Sequence, residues 1–323
     1  MNVKNATLGF SGALAQNIGS GVLVDNEVQT VVKDGNGSVS FLGATTITEL
    51  LSPNQGVINS NGNLRFPSTA TKTAFVGPVG IGAQVNGDVT VERYFPPRRA
   101  WRFFSVPVDG GSIRDNWMEG VNNTVVVTNA NNNPTNNLNP NPGYGVHITG
   151  PGGASNGFDV TATNNPSLFV YEQFLDDNEI LTESWLPVID VINTTITAGK
   201  GYRLLIRGDR SIPLINGATP TETTIRTQGN LVTGTQNNNN LSTLANGWSL
   251  LGNPYQAPVN MLQYLATASA NLDNARFYVW DPLMGDRGAY VTVDLDYINS
   301  LGEPSNDNST ANEFLQPGQA VFI

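Results

Sequence analysis

Residues 29–66 read QTVVKDGNGSVSFLGATTITELLSPNQGVINSNGNLRF, and their rhythm decides the fold. Short β-forming segments recur at nearly even spacing: Gln29–Val32, Ser38–Leu42, Thr45–Thr48, Gly56–Ile58 and Asn63–Phe66. Between them stand DGNG, LGA, SPNQG and NSNGN, where Asn and Gly accept the positive φ of tight turns. Hairpins would give longer, alternating strands. Stacked rungs of a parallel β-solenoid suit segments this short and regular. The pattern reaches upstream to Val22–Val24 and fades near residue 85, so residues 1–85 are expected to be solenoid-like rungs.

Beyond the Gly-rich stretch Val76–Gly87 the chain changes character. All five Trp lie past this point, and the β-segments lengthen. Strands are expected at Trp101–Phe104, Thr124–Thr128, Leu168–Tyr171, Tyr202–Ile206, Trp248–Leu251, Arg276–Trp280, Ala289–Leu295 and Ala320–Ile323, with one helix over Val259–Ala270. The stretches 129–143 and 236–240 are loops rich in Asn. Trp101-Arg-Phe-Phe-Ser-Val-Pro107 matches Trp248-Ser-Leu-Leu-Gly-Asn-Pro254. In each half an aromatic strand follows, Leu168–Tyr171 or Phe277–Trp280, then a glycine-opened strand, Gly199–Leu204 or Gly318–Phe322. Residues 86–323 are therefore expected to form a duplicated antiparallel β-sandwich, jelly-roll-like, with halves of about 86–215 and 216–323. Trp101 and Trp248 are expected to be buried at corresponding places.

Composition agrees. Charged residues make up 13% of the 323, while Gly (34), Pro (19) and Asn (41) are abundant, a mixture for strands and turns and not for helices. The class expected is all-β. A net charge of −10 disfavours nucleic acid, which demands rows of cations. The absence of Cys excludes disulfides and thiolate chemistry. No window is apolar enough for a membrane helix, so no membrane insertion is expected.

GNLRFPSTATKTAFVGPVG (62–80) and GDVTVERYFPPRRAWRFFSVPV (87–108) resemble a module of large exported cell-surface proteins of Bacteroidetes. PGYGVHITG, GKGYRLLIRGDRS, NGWSLLGNPYQAPVNM, YVWDP and LQPGQAVFI extend the likeness from about residue 10 to the end. The resemblance implies a β-solenoid end followed by a β-sandwich, type IX secretion, and an adhesin or gliding-related setting. The function expected is a structural or adhesive segment, a stalk, filament or tip, extracellular and partnered by other segments or copies of the same large protein. The rivals are a lectin-like module for surface glycans and, behind it, a polysaccharide-degrading enzyme; no enzymatic activity and no cofactor are expected.

The candidate sites are few. Trp117 (DNWMEG) and Trp185 (TESWLP) sit in polar contexts and are the candidates for a sugar-stacking surface. Asp176, Asp177 and Glu179 could hold calcium, although no calcium-loop spacing occurs. Asp281 with Asp286 could do the same, and either group could supply acid/base carboxylates. His147 is the lone histidine and is read as structural. Arg207-Gly208-Asp209 has the tripeptide of integrin ligands but is read as a hairpin turn.

Overall fold

The computed structural model describes residues 1–119, 141–173, 184–237, 241–267 and 272–323. Strand accounts for 38% of the structure against 9% helix, so the chain is all-β. The expected strand Thr124–Thr128 and most of the loop 129–143 lie outside the described residues.

The N-terminal part is a stack of parallel rungs with two sheets. Strands β1 (Val3–Phe10), β2 (Gln16–Ile18), β3 (Glu27–Lys33), β4 (Ser38–Phe41), β5 (Thr45–Pro53), β6 (Val57–Asn59), β7 (Leu64–Phe66), β8 (Phe75–Val76), β9 (Gln84–Asn86) and β10 (Asp88–Phe95) alternate between them. One sheet runs β1-β3-β5-β7-β10, with β8 also on β5; the other runs β2-β4-β6-β9. The register sets Val28 on Ile47, Val31 on Leu51 and Val39 on Ile58, so apolar side chains stack from rung to rung. These side chains, with Phe41 and Phe66, are fully buried, each worth about 1.5–3 kcal/mol relative to exposure.

The corner after β3 shows why glycine punctuates the sequence. A methyl built on Gly35 would lie 2.3 Å from the Gly12 carbonyl oxygen, and one on Gly37 would lie 2.4 Å from that of Leu14. The rungs approach here through bare backbone. Lys33, fully buried, donates its ammonium to the Gly35 carbonyl inside the same corner, and burial lowers its pKa.

The large sheet crosses the expected division at residue 85. β10 pairs in parallel with β7 and, on its other side, antiparallel with β16 (Thr223–Leu231) over eight residues, from Asp88↔Asn230 to Phe95↔Thr223. Between them in sequence come β11 (Ala100–Phe104), β12 (Val108–Asp109), the one-turn helix α1 (Ile113–Trp117), β13 (Leu168–Tyr171), β14 (Trp185–Pro187) and β15 (Tyr202–Ile206). The strand after Leu231 begins a further unit: β17 (Leu250–Gly252), β18 (Val259–Asn260), α2 (Met261–Thr267), β19 (Arg276–Asp281), β20 (Ala289–Asp294), α3 (Leu295–Leu301), β21 (Phe314–Leu315) and β22 (Ala320–Phe322). The expected boundary between halves at 215/216 therefore falls short of β16, which belongs to the solenoid sheet and covers Trp117.

Each half contributes a four-stranded antiparallel sheet, β11-β15-β13-β14 and β17-β22-β19-β20. In both, the last strand lies between the first and the second, a wiring distinct from the Greek key, which would place it outside the first. The halves also clasp each other reciprocally. Ser105 N donates to Gly318 O (3.2 Å) and Gly252 N to Gly199 O (3.1 Å). Phe104 bridges Gln319 as Leu251 bridges Lys200. Aligning Trp101 with Trp248 maps each of these contacts onto the other, as across a two-fold axis.

Each strand alternates between two environments. Phe104, Leu168, Tyr202 and Leu204 face a core of the first half, and Leu251, Phe277, Val293 and Val321 one of the second. Their neighbours Phe103, Tyr171, Leu250 and Phe322 face an aromatic seam between the two sheets. Trp101 and Trp248 occupy corresponding positions on that side, but both are only half-buried, because they sit beyond the closed part of the seam. Trp101 meets Phe169 edge-on at 5.8 Å, and Trp248 meets Tyr278 at 4.8 Å and Phe322 at 6.0 Å, both edge-on.

Gly35→Ala is expected to destabilise by about 1–3 kcal/mol through overpacking against backbone that cannot yield. Gly82, with φ +78° and open space around it, isolates the conformational cost alone. Urea unfolding of both alanine variants checks this; a Gly35→Ala protein as stable as the wild type would rule out the close stacking at that corner.

Candidate functional site

The two candidate tryptophans separate. Trp117 is 0% exposed and is not a surface residue. Ser112 caps α1 by accepting from Asp115 N (3.0 Å), and Asn116 Oδ1 accepts from Gln228 N (2.7 Å) of β16. The polar neighbours thus fasten the helix, and Trp117 drops into the first half's core. Its Nε1 donates to Thr227 Oγ1 (3.0 Å), with Phe104 and Tyr202 edge-on at 5.1 Å each. The polar context of Trp117 signalled a short capped helix and not exposure.

Trp185 does reach the surface in part. It lies on β14 opposite Tyr171, tilted against Phe103 (5.6 Å) and edge-on to Phe322 (5.9 Å). The Arg203 guanidinium lies 4.6 Å from the Trp101 and Phe169 rings and 4.7 Å from Trp185. Burial lowers the Arg203 pKa, and nearby Tyr290 opposes that. In the other half Phe322 takes the position of Arg203, and Tyr290, 51% exposed, that of Trp185. Trp101, Trp185 and Tyr290 can be read from the sequence as possible sugar-stacking rings, but their gathering with Phe169 and Arg203 into one half-open face cannot, since pairing brings it together from five strands. The usable signal was the mismatch of Arg203 with Phe322 inside the repeat.

Asp176, Asp177 and Glu179 lie outside the described residues. Among the described residues no three His, Asp or Glu side chains gather as a metal site. The Asp281 carboxylate accepts from Leu283 N and Ser309 Oγ, which closes its turn.

His147, Asp159 and Arg210 form a buried triad, each about 1% exposed. His147 Nδ1 lies 2.7 Å from Asp159 Oδ2, and Nε2 lies 3.1 Å from Ile212 O. Each ring nitrogen faces an oxygen acceptor, and a neutral ring satisfies one of the two. Arg210 grips both oxygens of Asp159. Burial by itself would raise the Asp159 pKa; Arg210 and then His147 outweigh it and hold the carboxyl below its ordinary value. No hydroxyl nucleophile completes a catalytic chain here, because the far ring nitrogen is on a backbone carbonyl. The adjoining Arg207-Gly208-Asp209 is equally committed. Asp209 is 4% exposed, and it accepts from Gly143 N (2.6 Å), Ser211 N (3.0 Å) and Ser211 Oγ (2.6 Å). The tripeptide is a built-in turn.

One wide groove, about 1750 Å³, runs where the solenoid (Phe75–Val79), the first half (Tyr171, Thr197–Gly201) and the second (Gly252–Val259, Tyr264) meet. Its floor is fixed by Gln256, which accepts from Val76 N through its carbonyl (2.7 Å) and donates to Ala74 O through Nε2 (2.6 Å). Asp109 is the one acidic side chain among its described lining residues, and it accepts from Ala198 N (2.8 Å). Glycoside hydrolysis needs a facing pair of carboxylates, which these residues do not supply.

Asp159→Asn is expected to cost about 3–5 kcal/mol by leaving the buried Arg210 guanidinium uncompensated. A lowered folded pKa contributes stability above the unfolded value, near 4, that is lost as pH falls through the folded one. Urea titrations of the wild type between pH 6 and 3 should lose stability below about pH 4, and Asp159→Asn should lose less over that span. Equal slopes would show that the triad does not govern acid stability.

Compared with known proteins, the chain matches no family model, no curated protein and no solved structure.

Proposed function

We propose that this chain is a structural or adhesive segment of a large exported, extracellular cell-surface protein, working as a stalk, filament or tip. Its partners are further segments or copies of that protein. The observation that carries the reading is the polarity of the solenoid stack. At one end β10 is covered by the antiparallel β16, and β12 follows at the edge, so parallel stacking stops there. At the other end β1 pairs only with β3 and β2 only with β4 among the described strands, leaving one side of each ladder for another strand. The side chains of Asn5, Ala6 and Thr7 on β1 are exposed, polar or small, and carry no like charge against a second copy. The resemblance of residues 62–108 to modules of Bacteroidetes surface proteins points the same way.

A second reading, a glycan-binding module, is favoured by the half-open face of Trp101, Phe169, Trp185 and Arg203, since sugars stack on such rings. Soluble polysaccharides that retard the protein in affinity electrophoresis, less so after Trp185→Ala, would support it; no retardation by any would end it.

For the structural reading, light scattering of residues 1–323 from micromolar to millimolar concentration should show mass growing with concentration. Ala6→Lys, which sets a charge on the free edge strand, should reduce that growth without lowering thermal stability. A protein that stays monomeric throughout, with the β1 and β2 amides already fully protected from hydrogen exchange, would refute the open-edge mechanism.

A further inference from the structure

The chain is acidic overall, yet five arginines crowd one end of the β11–β15 ladder. Arg93 lies on β10, Arg98 and Arg99 lie in the connection to β11, and Arg102 lies on β11. Arg207 follows Ile206, which pairs with Ala100. None of the five takes part in an ion pair among the described residues. Arg226, Arg65 and Arg210, by contrast, each have a carboxylate.

Arg102 is the centre of the group. It is 7% exposed, and neither its Nε nor its Nη2 has a hydrogen-bond partner. Arg93 Nε and Arg207 Nη1 are buried in the same condition. Neighbours hold the side chains in place. Arg98 Nη2 donates to Gly285 O (2.7 Å) in the turn after β19, and the Arg93 stem packs on Gly318, whose added methyl would lie 3.2 Å from Cδ. Burial pushes the Arg102 guanidinium down to about 10, and Arg98 and Arg93 push in the same direction. The opposing charge is Asp281, whose oxygens already accept from Leu283 N and Ser309 Oγ. A buried guanidinium with open donors and cationic neighbours calls for an anion with several acceptor oxygens, because burying an unpaired charge is costly and a charge-assisted fork is among the strongest contacts available.

We propose that Arg93, Arg98 and Arg102 line a small oxyanion site, for a sulfate, phosphate or carboxylate group, where the solenoid end, the first sheet and the 281–288 turn meet. Bound there, the anion ties three parts of the fold together through guanidinium donors that otherwise go unused. Arg102 is only 7% exposed, so the group that reaches it is a single small one, either free or at the end of a larger molecule.

Thermal unfolding and calorimetric titration of the whole chain test this with sodium sulfate, phosphate and acetate, each against chloride at matched ionic strength. A saturable rise in Tm, beyond that in chloride, is expected for at least one of the three, because a ligand bound only to the folded state stabilises by mass action. The responding anion shows whether the site prefers a tetrahedral or a planar group. Arg102→Met should abolish the response, and the half-exposed Arg98→Ala should weaken the apparent Kd several-fold, which keeps the test intact if the first variant does not fold. Identical behaviour in all three anions and chloride, or an undiminished response in Arg102→Met or Arg98→Ala, would overturn the proposal.

Discussion

Everything C-terminal to the solenoid hangs on the eight-residue antiparallel pairing of β10 with β16. A parallel stack grows by adding strands in one direction, and each new rung leaves an unpaired edge. β10 resolves this by serving two ladders at once, parallel to β7 and antiparallel to β16. The strand that closes the stack also carries Thr227, the acceptor for the Trp117 indole, and Gln228, whose N–H engages Asn116. The core of the first half is thus built against the solenoid's last strands. Gln256 adds the corresponding tie from the second half to Ala74 and Val76. Three units with separate cores are joined by backbone hydrogen bonds at each junction.

Much of this was legible, and the reason differs from part to part. The rungs could be read because each demands the same two things, an apolar residue pointing inward and a small residue at the corner, and both leave local marks in sequence. The repeat of Trp101–Pro107 in Trp248–Pro254 was legible because the clasp between Ser105 and Gly318 and its counterpart between Gly252 and Gly199 need similar strands in both halves. What stayed hidden depends on who pairs with whom across long separations. β16 reads locally as one more sandwich strand, and nothing within residues 223–231 says that its partner is β10, over a hundred residues away. The exposure of Trp117 was misjudged for a related reason: on a single helical turn polar neighbours point sideways into caps and cross-links while the next residue points inward. The α3 turn after β20 was missed because Asp294, its cap, ends a convincing strand pattern.

The polar groups follow a similar division. The His147–Asp159–Arg210 triad is internally complete, since every charge has a counterpart, and it pins the connection after β15 against the preceding loops. The arginines around Arg102 are incomplete by the same standard. Arg102 and the triad are both buried, so the contrast arises from the supply of carboxylates and not from depth.

The reciprocal clasp between the halves has a consequence for how such a face can diversify. In a dimer of identical chains, any change at a two-fold contact appears twice, and a cation placed there would meet its own copy. Joining the two halves in one polypeptide removes that restriction. Arg203 and Phe322 occupy equivalent positions, one cationic and stacked among Trp101, Phe169 and Trp185, the other apolar and wedged against Phe103 and Tyr171. The first half can therefore carry a polar, part-open surface while the second supplies the hydrophobic wedge that holds the pair closed, an asymmetry that tandem fusion permits and self-association forbids.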